Sequence, residues 1–187
     1  MRKIKTVFQR DERTRKVVNV LDVAFDFSTA VATEKVDGTN VRVTVRAGEV
    51  VRLEKRRNPS KAQKAKGILE PWYVDANPND PLDKWIFEAL KGTDTSGIPD
   101  GEHSAEAVGV NIQGNPLKLD GNRLFFFSIQ GERENVTFEN VPTDFEELSA
   151  WLKQQTSLFS GNDSLIEGIV WHGSNGDMVK IKAKDFK

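Results

Sequence analysis

In Thr39-Asn40-Val41-Arg42-Val43-Thr44-Val45-Arg46 a valine occupies every second position, with polar residues between. A period of two is the signature of a half-buried strand, one face on a core and the other in solvent. Ala47-Gly48 follows as a turn, and Glu49 to Leu53 resumes the extended pattern, so a hairpin is predicted. A second hairpin is predicted where Glu167 to Trp171 and Asp177 to Lys182 flank Ser174-Asn175-Gly176, because Asn-Gly suits a tight two-residue turn. Leu124 to Ile129, almost wholly apolar, reads as a buried strand. Helical spacing occurs in two places. One stretch starts at Asp80-Pro81, with Leu82, Trp85, Ile86 and Leu90 on its apolar face and Gly92 as its stop; the other follows Thr143-x-x-Glu146, with Phe145, Leu148, Leu152 and Phe159 in sequence. Strands that pair locally and outnumber helices predict an α+β chain built on antiparallel sheets. At 187 residues a single domain spanning 1-187 is expected.

Composition excludes several chemistries. The chain has no cysteine, which removes disulfides, thiolate metal sites and thiol nucleophiles. Two histidines, His103 and His172, are too few for a multi-histidine metal centre, and both read as ordinary polar positions. No stretch reaches the roughly 20 apolar residues of a membrane span, and the N-terminus lacks the apolar core of a signal peptide, so a cytoplasmic protein with no membrane partner is expected. Net charge is −1, but its distribution is uneven. Residues 1-16 hold seven basic and two acidic groups, and residues 52-67 hold seven basic and one acidic, which leaves −12 on the rest. Basic segments in an acidic body suit one polyanion bound at a defined place. The four tryptophans, at 72, 85, 151 and 171, are expected to pack.

Five pieces in chain order carry the chemistry. They are Glu34-Lys35-Val-Asp37-Gly38-Thr39-Asn40, then Arg52, then Glu106-Ala-Val-Gly109, then Phe125-Phe126-Phe127, and finally Glu167-Gly168 with Lys180-x-Lys182. This ordered set resembles the motifs of the covalent nucleotidyltransferase superfamily of ATP-dependent RNA and DNA ligases and mRNA capping enzymes. It looks most like the ATP-dependent RNA ligases. Gly109-Val-Asn-Ile-Gln-Gly-Asn-Pro116 and Glu167-Gly-Ile-Val-Trp-His172 are especially similar to the vertebrate-type 5′-3′ RNA ligase family and its bacterial and viral relatives. The resemblance spans about Thr33 to Lys182.

The resemblance implies an adenylyltransferase fold, ATP and Mg²⁺ or Mn²⁺ as cofactors, and RNA with 5′-phosphate and 3′-hydroxyl ends as substrate, joined through a lysyl-AMP intermediate. Lys35 is the implied nucleophile, which attacks only as the neutral amine. Lys180 and Lys182, on one strand face, and Arg52 would disfavour its charged form and stabilise charge on the phosphates. Glu167 is the implied metal ligand, since hydrated Mg²⁺ needs few protein oxygens. Glu106 is implied at the ribose, with Glu102 as its rival, and Phe127 as the aromatic stacked on adenine. Glu34 and Asn40 complete the implied nucleotide contacts, Asp37 would orient Lys35, and Gly38 would allow a tight backbone. Phe125 and Phe127 should share one strand face and Phe126 the other.

The chain departs from the family at Ser128, where an acid commonly follows the stacking aromatic. Only five residues follow Lys182, so no appended oligonucleotide-binding-fold domain is expected. Lys55, Arg56, Arg57, Lys61, Lys64 and Lys66 are expected to track an RNA backbone. No partner protein is implied, and a monomer is expected. The alternatives are a DNA nick ligase, a guanylyl-transferring capping enzyme, or a non-catalytic RNA-binding module of the same fold.

Overall fold

The computed structural model describes residues 3–187. Its strands are β1 Lys5–Thr6, β2 Phe8–Arg10, β3 Val17–Leu21, β4 Val31–Glu34, β5 Thr39–Arg46, β6 Glu49–Arg57, β7 Trp72–Asp75, β8 Gly101–Gly109, β9 Asn122–Phe126, β10 Thr137–Phe138, β11 Gly168–His172 and β12 Met178–Lys182. The helices are α1 Lys61–Ala65, α2 Lys84–Lys91, α3 Gln130–Asn135 and α4 Phe145–Leu152. The chain divides into two compact units. One is the continuous stretch Asp37–Glu132 together with Lys3, and the other is split between Ile4–Val36 and Arg133–Lys187.

The continuous unit carries a five-stranded antiparallel sheet in the order β7-β6-β5-β8-β9. The alternation of β5 decides its two faces. Val41, Val43 and Val45 are fully buried against Ile86 and Ala89 of α2, while Asn40, Arg42 and Thr44 point the other way. The predicted turn is present, with Ala47 and Gly48 both at positive φ, but β6 runs on to Arg57, four residues beyond Leu53. Helix α2 ends at Gly92 as expected, yet begins after Asp83, so Leu82 lies outside it and is 83% exposed. Leu124, Phe125 and Phe126 are buried in β9; Ile129 falls beyond the strand.

The split unit carries a five-stranded sheet in the order β1-β12-β11-β4-β10 and the β2-β3 hairpin. Its pairings are antiparallel except β1 with β12, which is parallel and joins segments far apart in the chain. The β11-β12 hairpin forms where predicted, but its loop runs from Gly173 to Asp177 rather than over two residues, with Gly176 at positive φ. Asp144, rather than Thr143, caps α4 by accepting from the Glu146 and Glu147 amides, and Leu148 and Leu152 enter the core beside Ile169, Trp171 and Ile181. Phe159 lies outside that helix. Among the described residues, no helix is long and apolar enough to cross a membrane.

Candidate active site

In the split unit, β4 ends at Glu34 and the Lys35 amide donates to the Gly168 carbonyl at 2.9 Å, which pins Lys35 to the start of β11. Gly168 sits opposite Lys182 in the β11-β12 register. A Cβ on Gly168 would lie 2.1 Å from the Ile181 carbonyl oxygen, so only glycine lets the strands approach here. The residue before it, Glu167, is thereby brought between two lysines. The Lys35 Nζ donates to Glu167 Oε2 at 2.5 Å, and the Lys182 Nζ reaches Glu167 Oε1 at 2.6 Å. Burial pushes the Glu167 carboxyl up, but the Lys35 charge and the hydrogen bonds from Lys182 and Lys35 outweigh it and hold the group below its ordinary value. Val179 and Ile181 are buried in β12, which leaves Lys180 and Lys182 together on its other face.

Glu34 stands differently from expectation. It is 2% exposed, Ser157 Oγ donates to its Oε1 at 2.7 Å, and the Phe159 amide donates to its Oε2 at 3.0 Å. Burial raises its pKa. Both oxygens accept hydrogen bonds from the protein, so the side chain braces the strand that delivers Lys35. His172 faces Thr33, 2.9 Å from its hydroxyl, and burial, aided by the Arg133 charge, lowers it to about 4. It is therefore neutral at pH 7.

In the continuous unit the remaining candidates share the polar face of one sheet. Register sets Asn40 opposite Glu106 and Glu106 opposite Phe125, while Arg52 sits opposite Thr44 on the other side of β5. Phe127 continues that face, its ring edge-on to Phe125 at 5.6 Å, whereas Phe126 points into the core. Glu106 and Asn40 are direct cross-strand neighbours. Glu102 lies four residues earlier and accepts from Arg42 at 3.2 Å. The Ser128 position is occupied in its own way. His103 Nε2 donates to the Pro99 carbonyl at 2.7 Å, which leaves Nδ1 to accept from the Ser128 hydroxyl at 3.2 Å. Gly38 is required by contact rather than by φ, since a Cβ there would meet the Ala107 carbonyl oxygen at 2.1 Å.

Three residues on this face lie outside the motifs. Glu54, 1% exposed, accepts two hydrogen bonds from Arg42 at 2.6 and 2.9 Å and pairs with Arg52 at 3.3 Å. Arg52 also donates to Asp75 at 2.6 Å, so its charge is neutralised within its own unit. Arg42 lies 4.5 Å over the ring of Tyr73, whose hydroxyl donates to Asn40 Oδ1 at 2.7 Å. That bond fixes which end of the Asn40 amide is acceptor and leaves its NH₂ end free to be aimed. The signal for Arg42 was present in the β5 alternation; nothing local marks Glu54 or Tyr73.

Lys55 departs from the expected RNA track. It projects to the core side of β6 and pairs with Asp83 at 2.5 Å and Asp80 at 3.8 Å, anchoring the start of α2. In the N-terminal basic segment, Arg10 pairs with Asp185 at 2.8 Å and Lys16 donates to the Lys184 carbonyl at 2.7 Å, so part of that charge holds the fold. Met1 and Arg2 of that segment lie outside the described residues. Among the described residues, no cluster of three or more His, Asp or Glu could hold a metal ion.

A family model described as RNA ligase 1 matches residues 98–186, just under half of the chain. No curated protein matches. Among solved structures, a Naegleria gruberi RNA ligase with pyrophosphate is 15% identical with a TM-score of 0.53, over 96% of this chain and 56% of that one. An apo mutant of a Naegleria gruberi RNA ligase is 15% identical with a TM-score of 0.51, over 83% of this chain and 49% of that one. The chain thus spans about half the length of these structures and has their fold, a mixed α/β fold of antiparallel sheets with few helices.

Proposed function

We propose that this chain is an ATP-dependent RNA ligase of nucleotidyltransferase fold, joining RNA 5′-phosphate and 3′-hydroxyl ends through a lysyl-AMP intermediate. The observation that carries the reading is Glu167 bridging Lys35 and Lys182, since a lysine nucleophile needs a partner that holds it in place before attack. A carboxylate at 2.5 Å from Lys35 stabilises an ammonium, not an amine. Attack on the α-phosphorus therefore begins with loss of the Lys35 proton to water and rotation of Nζ away from Glu167. The new N–P bond forms as the bond to the bridging oxygen of pyrophosphate breaks. Lys182 and Lys180 offset the charge that develops on the phosphate oxygens. Transfer to RNA reverses the covalent step: an oxygen of the 5′-phosphate displaces Lys35, and a 3′-hydroxyl then displaces AMP.

Glu167 is also the residue to which we assign Mg²⁺ or Mn²⁺, which when bound supplies positive charge to the phosphates. We assign Glu106 to the ribose, Phe127 to the adenine face, and Arg52 and Asn40 to phosphate or the RNA end. Their common sheet face and the Glu106–Asn40 pairing support this. The two units are taken to act as one domain, 1-187, working as a cytoplasmic monomer.

The test is the intact mass after incubation with ATP and Mg²⁺. An added AMP on the native protein, absent from Lys35→Ala, is the expected result; a wild-type yield of adduct on the variant would sink the mechanism. Because Lys35 is a partly exposed residue just beyond a strand end, Lys35→Ala should keep its fold by circular dichroism. Labelling by GTP in place of ATP, or sealing of nicked DNA in preference to RNA, would reassign the enzyme within the superfamily.

A further inference from the structure

The connection from β6 to β7 is ordered yet hides almost nothing. Ser60 and Gln63 exchange capping bonds at both ends of the first turn of α1, and Gly67 at positive φ lets the Ile68 amide close back on the Gln63 carbonyl at 3.0 Å. No residue of α1 is buried. A five-residue helix has little stability of its own, so its order comes from these caps and not from packing. What it displays is specific. Arg57, Lys61, Lys64 and Lys66 are, among the described residues, paired with no carboxylate, although the whole chain is net acidic. Directly after them, Ile68, Leu69 and Trp72 are 44%, 68% and 37% exposed. Trp72 is the one tryptophan that does not pack as expected, and it sits opposite Arg57 in the β6-β7 register.

Cations alone would suit any polyanion. Cations beside uncovered apolar and aromatic side chains suit one whose bases are accessible. A duplex offers this surface only its phosphates, because its bases are stacked and paired, whereas an unpaired strand offers phosphates to the lysines and base faces to Trp72. We infer that residues 57–72 form a docking surface for single-stranded RNA, with Arg57, Lys61, Lys64 and Lys66 on the phosphates and Trp72 stacked on a base. This deepens the RNA-ligase reading and rests on it: the substrate strand is held unpaired, as a loop or free end, and not as a nick in a continuous duplex.

The experiment compares binding of a labelled, non-self-pairing RNA 20-mer with that of its fully paired duplex, by fluorescence anisotropy over a series of salt concentrations. The expected result is tighter binding of the single strand. Trp72→Ala should weaken that binding about tenfold with an unchanged salt slope, leave duplex binding within about twofold, and be largely rescued by Trp72→Phe, which still stacks. The triple Lys61→Glu, Lys64→Glu, Lys66→Glu variant should weaken both and flatten the single-strand salt slope by about two units. Equal or tighter duplex binding, indifference to Trp72→Ala, or an unchanged slope in the triple variant would each overturn the inference. So would binding to phosphatidylserine vesicles that the triple variant abolishes while RNA binding persists. Adduct formation by the unaltered protein separates the two readings. RNA binding that depends on Trp72 without any AMP adduct keeps this surface and rejects the ligase, and an adduct without single-strand preference does the reverse.

Discussion

Each unit holds a carboxylate between two cations, Glu167 half-buried and Glu54 buried, and the cations differ. In the split unit Glu167 lies between Lys35 and Lys182; in the continuous unit Glu54 lies between Arg42 and Arg52. An arginine fork matches a carboxylate bidentately and never gives up its proton, so the Glu54 cluster is a permanent brace for the sheet face. Lysine is a point charge on a flexible stem that can deprotonate once its partner is drawn elsewhere. The Glu167 cluster therefore has a second protonation state available, whereas the Glu54 cluster stays charged even where the exposed Arg52 turns to a phosphate. In the proposed mechanism similar geometry serves structure in one place and reactivity in the other, and the choice of Lys or Arg decides which.

Truncating the two acids tests that contrast most severely. Glu167→Ala should lower the rate of AMP-adduct formation on the order of a hundredfold or more, with a small change in melting temperature. Glu54→Ala should act first on stability in denaturant unfolding, because it removes the bidentate partner of Arg42, although Arg42 keeps Glu102 and Arg52 keeps Asp75. Equal losses of stability from both would erase the distinction.

A smaller effect separates the cations themselves. Lys182→Ala and Lys180→Ala should each lower the rate of adenylation by roughly tenfold to a hundredfold while shifting the apparent affinity for ATP far less. If only the affinity moves, that lysine acts in ground-state phosphate binding. Lys182→Arg keeps a charge beside Glu167 but replaces a point with a fork, so it should recover stability better than rate.

The smallest expected effect is on acid stability in the split unit. His172 is lowered to about 4, so it stays neutral in the fold at pH values where the unfolded chain takes up a proton. Stability then falls as pH drops from about 6.5 towards 4, the direction required when the unfolded state binds the extra proton. The Glu167 contribution, with its depressed carboxyl, is lost only at lower pH, and Glu34, with its raised one, changes stability in the opposite sense. Replacing His172 with Asn should flatten the melting-temperature profile between pH 6.5 and 4. An unaltered profile would show that His172 is not the group responsible.

Local pattern alone specified β5 to the residue, the Ala47-Gly48 turn, the Gly92 helix stop and the β11-β12 hairpin, because each depends on neighbours within a few positions. The ordered motifs likewise pointed to Lys35, Glu167 and Lys182 before any contact was known. The strands β1, β4 and β10 had no such signal: each is two to four residues long and exists through partners supplied by distant parts of the chain. The same distance governs the site. Lys35 and Glu167 are 132 positions apart, and only the pairing of β4 with β11 sets one carboxylate against that ammonium. Tertiary structure also gave Glu34 to Ser157 and Phe159, Lys55 to Asp83, and Asn40 to Tyr73. A sequence states which groups carry charge. Which of them desolvate one another, and so which are spent on the fold and which stay free for chemistry, depends on register and burial, and those are properties of the folded chain.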